Sequence, residues 1–192
     1  MKLPELTNFD VSRKRVIVRM DLDVDEDYTR QEFAEETLDF LVKNKARTII
    51  IGHKGRPEGE KLPELSLAPF ADVLSGIVGK KVDFFHDNTG YEAEKRSVSV
   101  SEGEVLLLEN LRFDPGEEAN SEEFSKSLAA LGEAYVNEAF AVSHREHASI
   151  VGLPKLLPHA AGFRFLKEVE TLSRVFVNPR KPVVLVVGGI KK

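Results

Sequence analysis

Cysteine is absent from this chain of 192 residues, which removes disulfide frameworks, thiol nucleophiles, iron–sulfur clusters and thiolate zinc sites together. No segment approaches the roughly 20 consecutive apolar residues that a membrane-spanning helix needs. The start, Met1-Lys-Leu-Pro-Glu5, has neither the basic opening nor the apolar run of a signal peptide. The expectation is a soluble, cytoplasmic protein that enters no membrane. Cationic excess is lacking too: 32 acids against 27 bases leave a net charge of -5, so a general nucleic-acid surface, which needs positive charge facing phosphates, is excluded as a first reading. There is no G-x-x-x-x-G-K-S/T phosphate loop, no G-x-G-x-x-G after the first apolar run and no G-x-S-x-G nucleophile elbow.

What is present is a recurring pattern. A folded chain of this size buries roughly 70% of the surface its unfolded form exposes, enough for one core without metal or disulfide staples. Six short apolar, β-branched runs recur at Arg15–Met20, Arg47–Ile51, Val82–Phe85, Glu104–Leu108, Ala134–Val136 and Pro182–Val187. Several lack alternation, as expected of parallel strands covered on both faces. Between them, Ala34, Leu38, Leu41 and Val42 mark one helical face, and Phe70, Leu74, Ile77 and Val78 a second. Phe124, Leu128 and Leu131 mark a third helix, entered through Asn120 with Glu123 three residues on and closed by Gly132; a fourth spans Phe165 to Phe176. The alternation predicts an α/β fold, a three-layer Rossmann-like arrangement with a mainly parallel sheet flanked by helices. Pro182–Val187 reads as a buried central strand with no crossover helix after it. It either pairs at an edge or belongs with strands outside this sequence, and an unpaired apolar strand predicts self-association through 182–187.

Ligands of open α/β sheets bind outside the carboxyl ends of the strands. After the first run come Asp21 and Asp23, then Arg30; after the second, His53, Lys54 and Arg56; after the fourth, Arg112; after the fifth, Ser143, His144, Arg145 and His147. One loop arginine is usually a solvated group or the partner of a nearby acid. Four at strand ends point to a local cationic rim for a small polyanion, because guanidinium groups recognise phosphate and carboxylate in a bidentate manner. His53, between a strand and a turn, is well placed to add a donor. His86 and His159 read as surface or cap residues, His144-x-x-His147 lacks the acid-rich helical spacing of a zinc site, and no metal ligand set is assigned. Asp21 and Asp23 are of the type that holds magnesium, but Asp21 is read as a brace for the basic residues. Gly188-Gly189 with Lys191 and Lys192 offers amides and ammonium groups to a phosphate, or is simply a polar terminus.

Six blocks, Lys14–Asp21, Gly52-His-Lys-Gly-Arg-Pro57, Leu106-Leu-Leu-Glu-Asn-Leu-Arg-Phe113, Tyr135-Val-Asn-Glu-Ala-Phe140, His144-Arg-x-His147-Ala-Ser and Ala161-Gly-Phe163, occur in the order and spacing of phosphoglycerate kinase. The sequence resembles that family from about Asp10 to the last residue. The resemblance implies phosphoryl transfer between 1,3-bisphosphoglycerate and ADP in glycolysis by two α/β domains that close by a hinge. It implies a substrate-binding domain at 1–162, an interdomain helix at 163–178, and at 179–192 the first strand of a nucleotide-binding domain otherwise missing here. Substrate contacts to 3-phosphoglycerate or 1,3-bisphosphoglycerate would be Asp21, Asp23, Arg30, His53, Arg56, Arg112 and Arg145. Arg30 would neutralise the transferring phosphoryl group, and Lys191 would reach transferring or nucleotide phosphates. Mg-ATP and Mg-ADP are the family's cofactors, with none expected to bind well to this chain, which is expected to be inactive without the nucleotide domain.

Departures from the family pattern bear on binding. Asp23 stands in place of a neutral amide, the link to Arg30 is short and acidic, Glu138 and Ala141 replace Asp and Gly, and Lys54 replaces an apolar residue. A carboxylate about 4 Å from an anion costs on the order of 1 kcal/mol in water-like surroundings and about 4 kcal/mol at an effective dielectric of 20. The alternative expectation is therefore a non-catalytic small-anion-binding module diverged from the kinase. Charge reversal at Arg112 is expected to abolish binding without unfolding the chain.

Overall fold

The computed structural model describes residues 3–23, 34–177, 179–184, 186 and 188. Its centre is a six-stranded sheet in which every neighbouring pair is parallel: β1 (Arg15–Arg19), β2 (Arg47–Ile51), β3 (Val82–Phe85), β4 (Val105–Leu108), β5 (Ala134–Asn137) and β6 (His159–Ala161), in the order β3-β4-β2-β1-β5-β6. Register pairs Ile17 with Ile49 on one side and with Tyr135 on the other.

Alternate residues of each strand feed two separate cores. Val16, Val18, Ile50, Leu107 and Val136 face one layer, where they meet Leu38 and Leu41 of α1 (Glu35–Lys43) and Phe70 and Leu74 of α2 (Phe70–Val78). Ile17, Ile49, Ile51, Leu106, Leu108 and Tyr135 face the opposite layer. There they meet Ala93 of α3 (Tyr91–Val98), Phe124 and Leu128 of α5 (Glu122–Ala130) and Leu153 of α6 (Leu153–Leu156). Between α3 and α5 in sequence lies the one-turn helix α4 (Pro115–Glu118). Burial on both faces is why the strands read as unbroken apolar runs. The expected three-layer α/β architecture is the observed one.

Four details differ from the expectation. Helix α5 is capped by Ser121, whose hydroxyl accepts from Phe124 N at 3.3 Å, while Asn120 sits at φ 50° in the preceding turn. An N-cap needs extended backbone, and Ser121 has it where Asn120 does not. Gly132 follows the helix, but its tighter constraint is the sheet: a Cβ there would lie 2.6 Å from Ile17 Cγ1. Strand β6 and helix α3 were not legible, the first because it has three residues, the second because it buries only Ala93 and Ser97. Finally, the described residues of the expected strand at 182–187 join no sheet here: Pro182, Val183, Val184 and Val186 pair with nothing among the described residues, and Val184 and Val186 are 81% and 89% exposed. A strand exists only by hydrogen bonding to neighbours, and no described residue supplies one.

The fourth expected helix is α7 (Phe163–Val177). Its start is pinned to α1 and to the turn after β5, with Phe163 edge-on to Phe40 at 5.5 Å and Phe165 to Phe140 at 5.6 Å, but no side chain of the helix is fully buried.

Candidate functional site

The strand order sets β4, β2, β1 and β5 side by side, so the loops leaving their carboxyl ends share one edge of the sheet. Beyond β1, Leu22 is buried against Gly52, where a Cβ would come within 2.7 Å of Leu22 Cδ1. This close approach brings Asp23 over the loop after β2. Asp23 Oδ1 accepts from Gly55 N at 2.7 Å, and Oδ2 lies 3.6 Å from His53 Nε2.

After β4 the chain makes a tight turn at Leu111–Phe113, capped by Asn110, whose side-chain oxygen accepts from Arg112 N at 3.0 Å. The Asn110 amide also donates to Lys54 O at 2.8 Å and Leu65 O at 2.9 Å, tying this turn to the loop after β2. Arg112 is thereby held almost fully buried, 2% exposed, with Nη1 donating to Gly55 O at 2.6 Å. Its Nε stands 3.2 Å from Glu118 Oε1 in an ion pair without hydrogen-bond alignment, and Nη2 meets no acceptor among the described residues. Arg145, half-buried after β5, likewise has a buried Nε with no partner among the described residues. Buried donors in native proteins are nearly always satisfied, so guanidinium N–H groups left over at one edge favour an anion there.

His53 is 2% exposed, and its pKa is pushed down to about 2, first by burial and then by the cations Arg19 and Arg112, with His147 and Arg145 adding to them. It is a neutral imidazole over the whole physiological range. His147 is also buried and shifted downward, mainly by desolvation and partly offset by Glu117, whose Oε1 lies 3.9 Å from Nδ1. Burial lowers the Arg112 value as well, against the opposing pull of Glu118.

Of the expected site residues, His53, Arg112, Arg145 and Asp23 are brought into one electrostatic neighbourhood. Asp21 lies half-exposed at the end of β1, and Arg56 is exposed in the loop after β2 without a bond to any described residue. Arg30 and Lys191 lie outside the described residues. Lys54 points away from this cluster: Nζ donates to Glu64 O at 3.0 Å and lies over the Phe70 ring. His144 is exposed. Arg112 is too deeply buried for charge reversal to leave the fold intact, because a carboxylate there would face Glu118 and the Gly55 carbonyl. Arg145 is the better position for that substitution.

Sequence reasoning passed over Arg19, the last residue of β1, which is 0% exposed. Nη2 donates to His53 Nδ1 at 2.9 Å, Nε donates to Ser149 Oγ at 3.0 Å and Nη1 donates to Met20 O. The available signal was a charge inside an apolar strand, which must have buried partners to be tolerated. Glu138 was noted only as a departure. It is buried after β5, where its carboxylate accepts from Thr37 Oγ1, from Phe165 N at 2.9 Å and from Arg164 N at 3.3 Å, closing the start of α7.

One other concavity does not match an anion. A groove of about 690 Å³ is lined by Tyr91, Glu94, Glu122, Glu123 and Lys126, where acids dominate. Among the described residues no group of three or more His, Asp or Glu is placed to hold a metal ion, and no helix is long and apolar enough to cross a membrane.

The phosphoglycerate kinase family model matches residues 6–192. The curated phosphoglycerate kinase of Thermomicrobium roseum is 45% identical over 190 residues, covering 96% of this chain and 48% of that protein. That of Moorella thermoacetica is 42% identical over 192 residues, covering 97% and 49%. Among solved structures, phosphoglycerate kinase from Coxiella burnetii superposes with a TM-score of 0.84 at 36% identity, covering 94% of this chain and 47% of that one. Phosphoglycerate kinase from Pyrococcus horikoshii superposes at 0.85 and 29% identity with the same coverage. The chain spans about half the length of the curated relatives it matches.

Proposed function

Because the chain belongs to the phosphoglycerate kinase family, we propose that it supplies the half of such an enzyme that holds the three-carbon acid, 3-phosphoglycerate or 1,3-bisphosphoglycerate. The observation that carries this reading is the buried edge cluster in which Arg112 Nη2 and Arg145 Nε lack acceptors among the described residues while a neutral His53 stands beside them. Guanidinium groups bind the carboxylate and phosphate of such an acid, and His53 adds an uncharged donor that costs no proton on binding. Arg56, exposed on the same loop, adds long-range attraction on a chain that is otherwise acidic.

Phosphoryl transfer asks little covalent chemistry of the protein: positioning and charge stabilisation provide most of the rate. This chain's part is to fix the acid in line for transfer and to keep water from its acyl phosphate at closure. Arg30 is assigned to the transferring phosphoryl group and Lys191 to the same or nucleotide phosphates. The chain spans about half the length of its curated relatives, so we assign turnover to the pair of domains of such an enzyme and acid binding to this one.

Asp23 is the feature that opposes anion binding. Its carboxylate is committed to the Gly55 amide and lies in the field of Arg112, which offsets part of its repulsion. Amide chemical-shift mapping tests the reading: 3-phosphoglycerate should move the signals of His53, Gly55, Arg112 and Arg145 at low salt, and sulfate at equal concentration should move them far less. Equal responses to both anions would favour the diverged anion-binding module.

A further inference from the structure

Glu117, in the one-turn helix α4, is 0% exposed and no part of the anion edge, yet both of its oxygens accept hydrogen bonds from one residue, with His147 Nδ1 3.9 Å from Oε1. Oε1 accepts from Ser149 Oγ at 2.6 Å and Oε2 accepts from Ser149 N at 2.9 Å. The serine hydroxyl proton is therefore directed to Glu117, and its lone pairs face Arg19 Nε at 3.0 Å. Tyr135 holds the same residue from the sheet, its hydroxyl donating to Ser149 O at 2.8 Å. Arg19 then reaches His53 Nδ1 through Nη2 at 2.9 Å.

The direction of this chain is set by chemistry. A guanidinium has donors and no acceptor, so the nitrogen it faces at hydrogen-bond distance must be bare. In the neutral ring the proton then sits on Nε2, which faces the loop of Asp23 and the anion edge. We propose that Glu117 is a positioning residue for the acid-binding site: through Ser149 and Arg19 it fixes His53 in the Nε2–H tautomer, so that the ring offers a donor and not a lone pair to the anion. The next residue, Glu118, lies 3.2 Å from Arg112 Nε, so α4 presents consecutive carboxylates that anchor the two buried arginines, one directly and one through a hydroxyl. This inference rests on the proposed function for the identity of the anion, but not for the tautomer.

The test is long-range ¹⁵N–¹H correlation of the His53 ring in the full chain without ligand. The unmodified protein should show a bare Nδ1 and a protonated Nε2 at pH 7. Glu117→Gln keeps the size but can accept from only one of the two Ser149 donors, so His53 should become a mixture of tautomers and 3-phosphoglycerate should bind about tenfold more weakly. Ser149→Ala should have the same signature, and Ser149→Thr, which keeps the hydroxyl, should restore the single tautomer. A protonated Nδ1 in the unmodified chain would overturn the proposal whether or not the variants fold. So would a pure Nε2–H tautomer in both Glu117→Gln and Ser149→Ala. Because no ligand enters the ring measurement, absence of 3-phosphoglycerate binding by the unmodified chain would count against the ligand assignment alone.

Discussion

Replacing His53 with Asn should change how the fold responds to acid more than how it behaves at neutral pH. Asn keeps an oxygen where Nδ1 accepts from Arg19 but cannot take up a proton. In the folded chain His53 titrates near 2, driven down by burial and by the neighbouring Arg19 and Arg112 cations, against an ordinary value of 6.5. The unfolded chain therefore binds a proton on this ring across the window from 6.5 to about 2 while the folded chain does not, so stability rises with pH through that window and is flat above it. Lowering the pH from 7.5 to 5 should cost the unmodified protein about 2 kcal/mol through His53 alone. Any constant packing penalty of His53→Asn cancels when each protein is compared with itself. Urea unfolding at the two pH values, by circular dichroism, should show a pH-dependent loss smaller in the variant by about 2 kcal/mol. Equal losses in the two proteins would mean that His53 is not held neutral by its buried cationic neighbours.

Three other substitutions probe separate parts of the structure. Asp23→Asn retains an acceptor for the Gly55 amide and removes a charge from the anion edge, so 3-phosphoglycerate should bind more tightly, by about 1 to 4 kcal/mol in calorimetry, with the unfolding midpoint little changed. Gly132→Ala places a methyl 2.6 Å from Ile17 Cγ1 and should destabilise the fold by about 1 to 3 kcal/mol in urea. Glu138→Ala leaves the first amides of α7 without their acceptor; amide exchange at Arg164 and Phe165 should accelerate, with about 1 to 3 kcal/mol lost locally.

How far the sequence could be read follows from what each element buries. Strands β1, β2, β4 and β5 stand out because helices cover both faces, leaving apolar residues without polar alternation. Helices α1, α2 and α5 stand out because each buries one stripe. Pro182–Val187 carries the same apolar signal as β2 yet forms no strand among its described residues, because hydropathy reports what a segment would bury and not whether neighbours exist. At the site, His53 and Arg112 were legible because strand ends are where such sheets place their chemistry. Glu117, Ser149 and Arg19 were not: they lie on a one-turn helix, a single π-helical turn and the last position of an apolar strand, and only the packing brings them into one hydrogen-bonded chain.

Titration calorimetry of the chain with 3-phosphoglycerate, at low and at moderate ionic strength and with Arg145→Glu alongside, bears most directly on the central assignment. Saturable heat with micromolar to millimolar affinity, weakening as salt is added and lost in Arg145→Glu while the variant stays folded, is the expected result. No heat at low salt, or undiminished binding by folded Arg145→Glu, would contradict it.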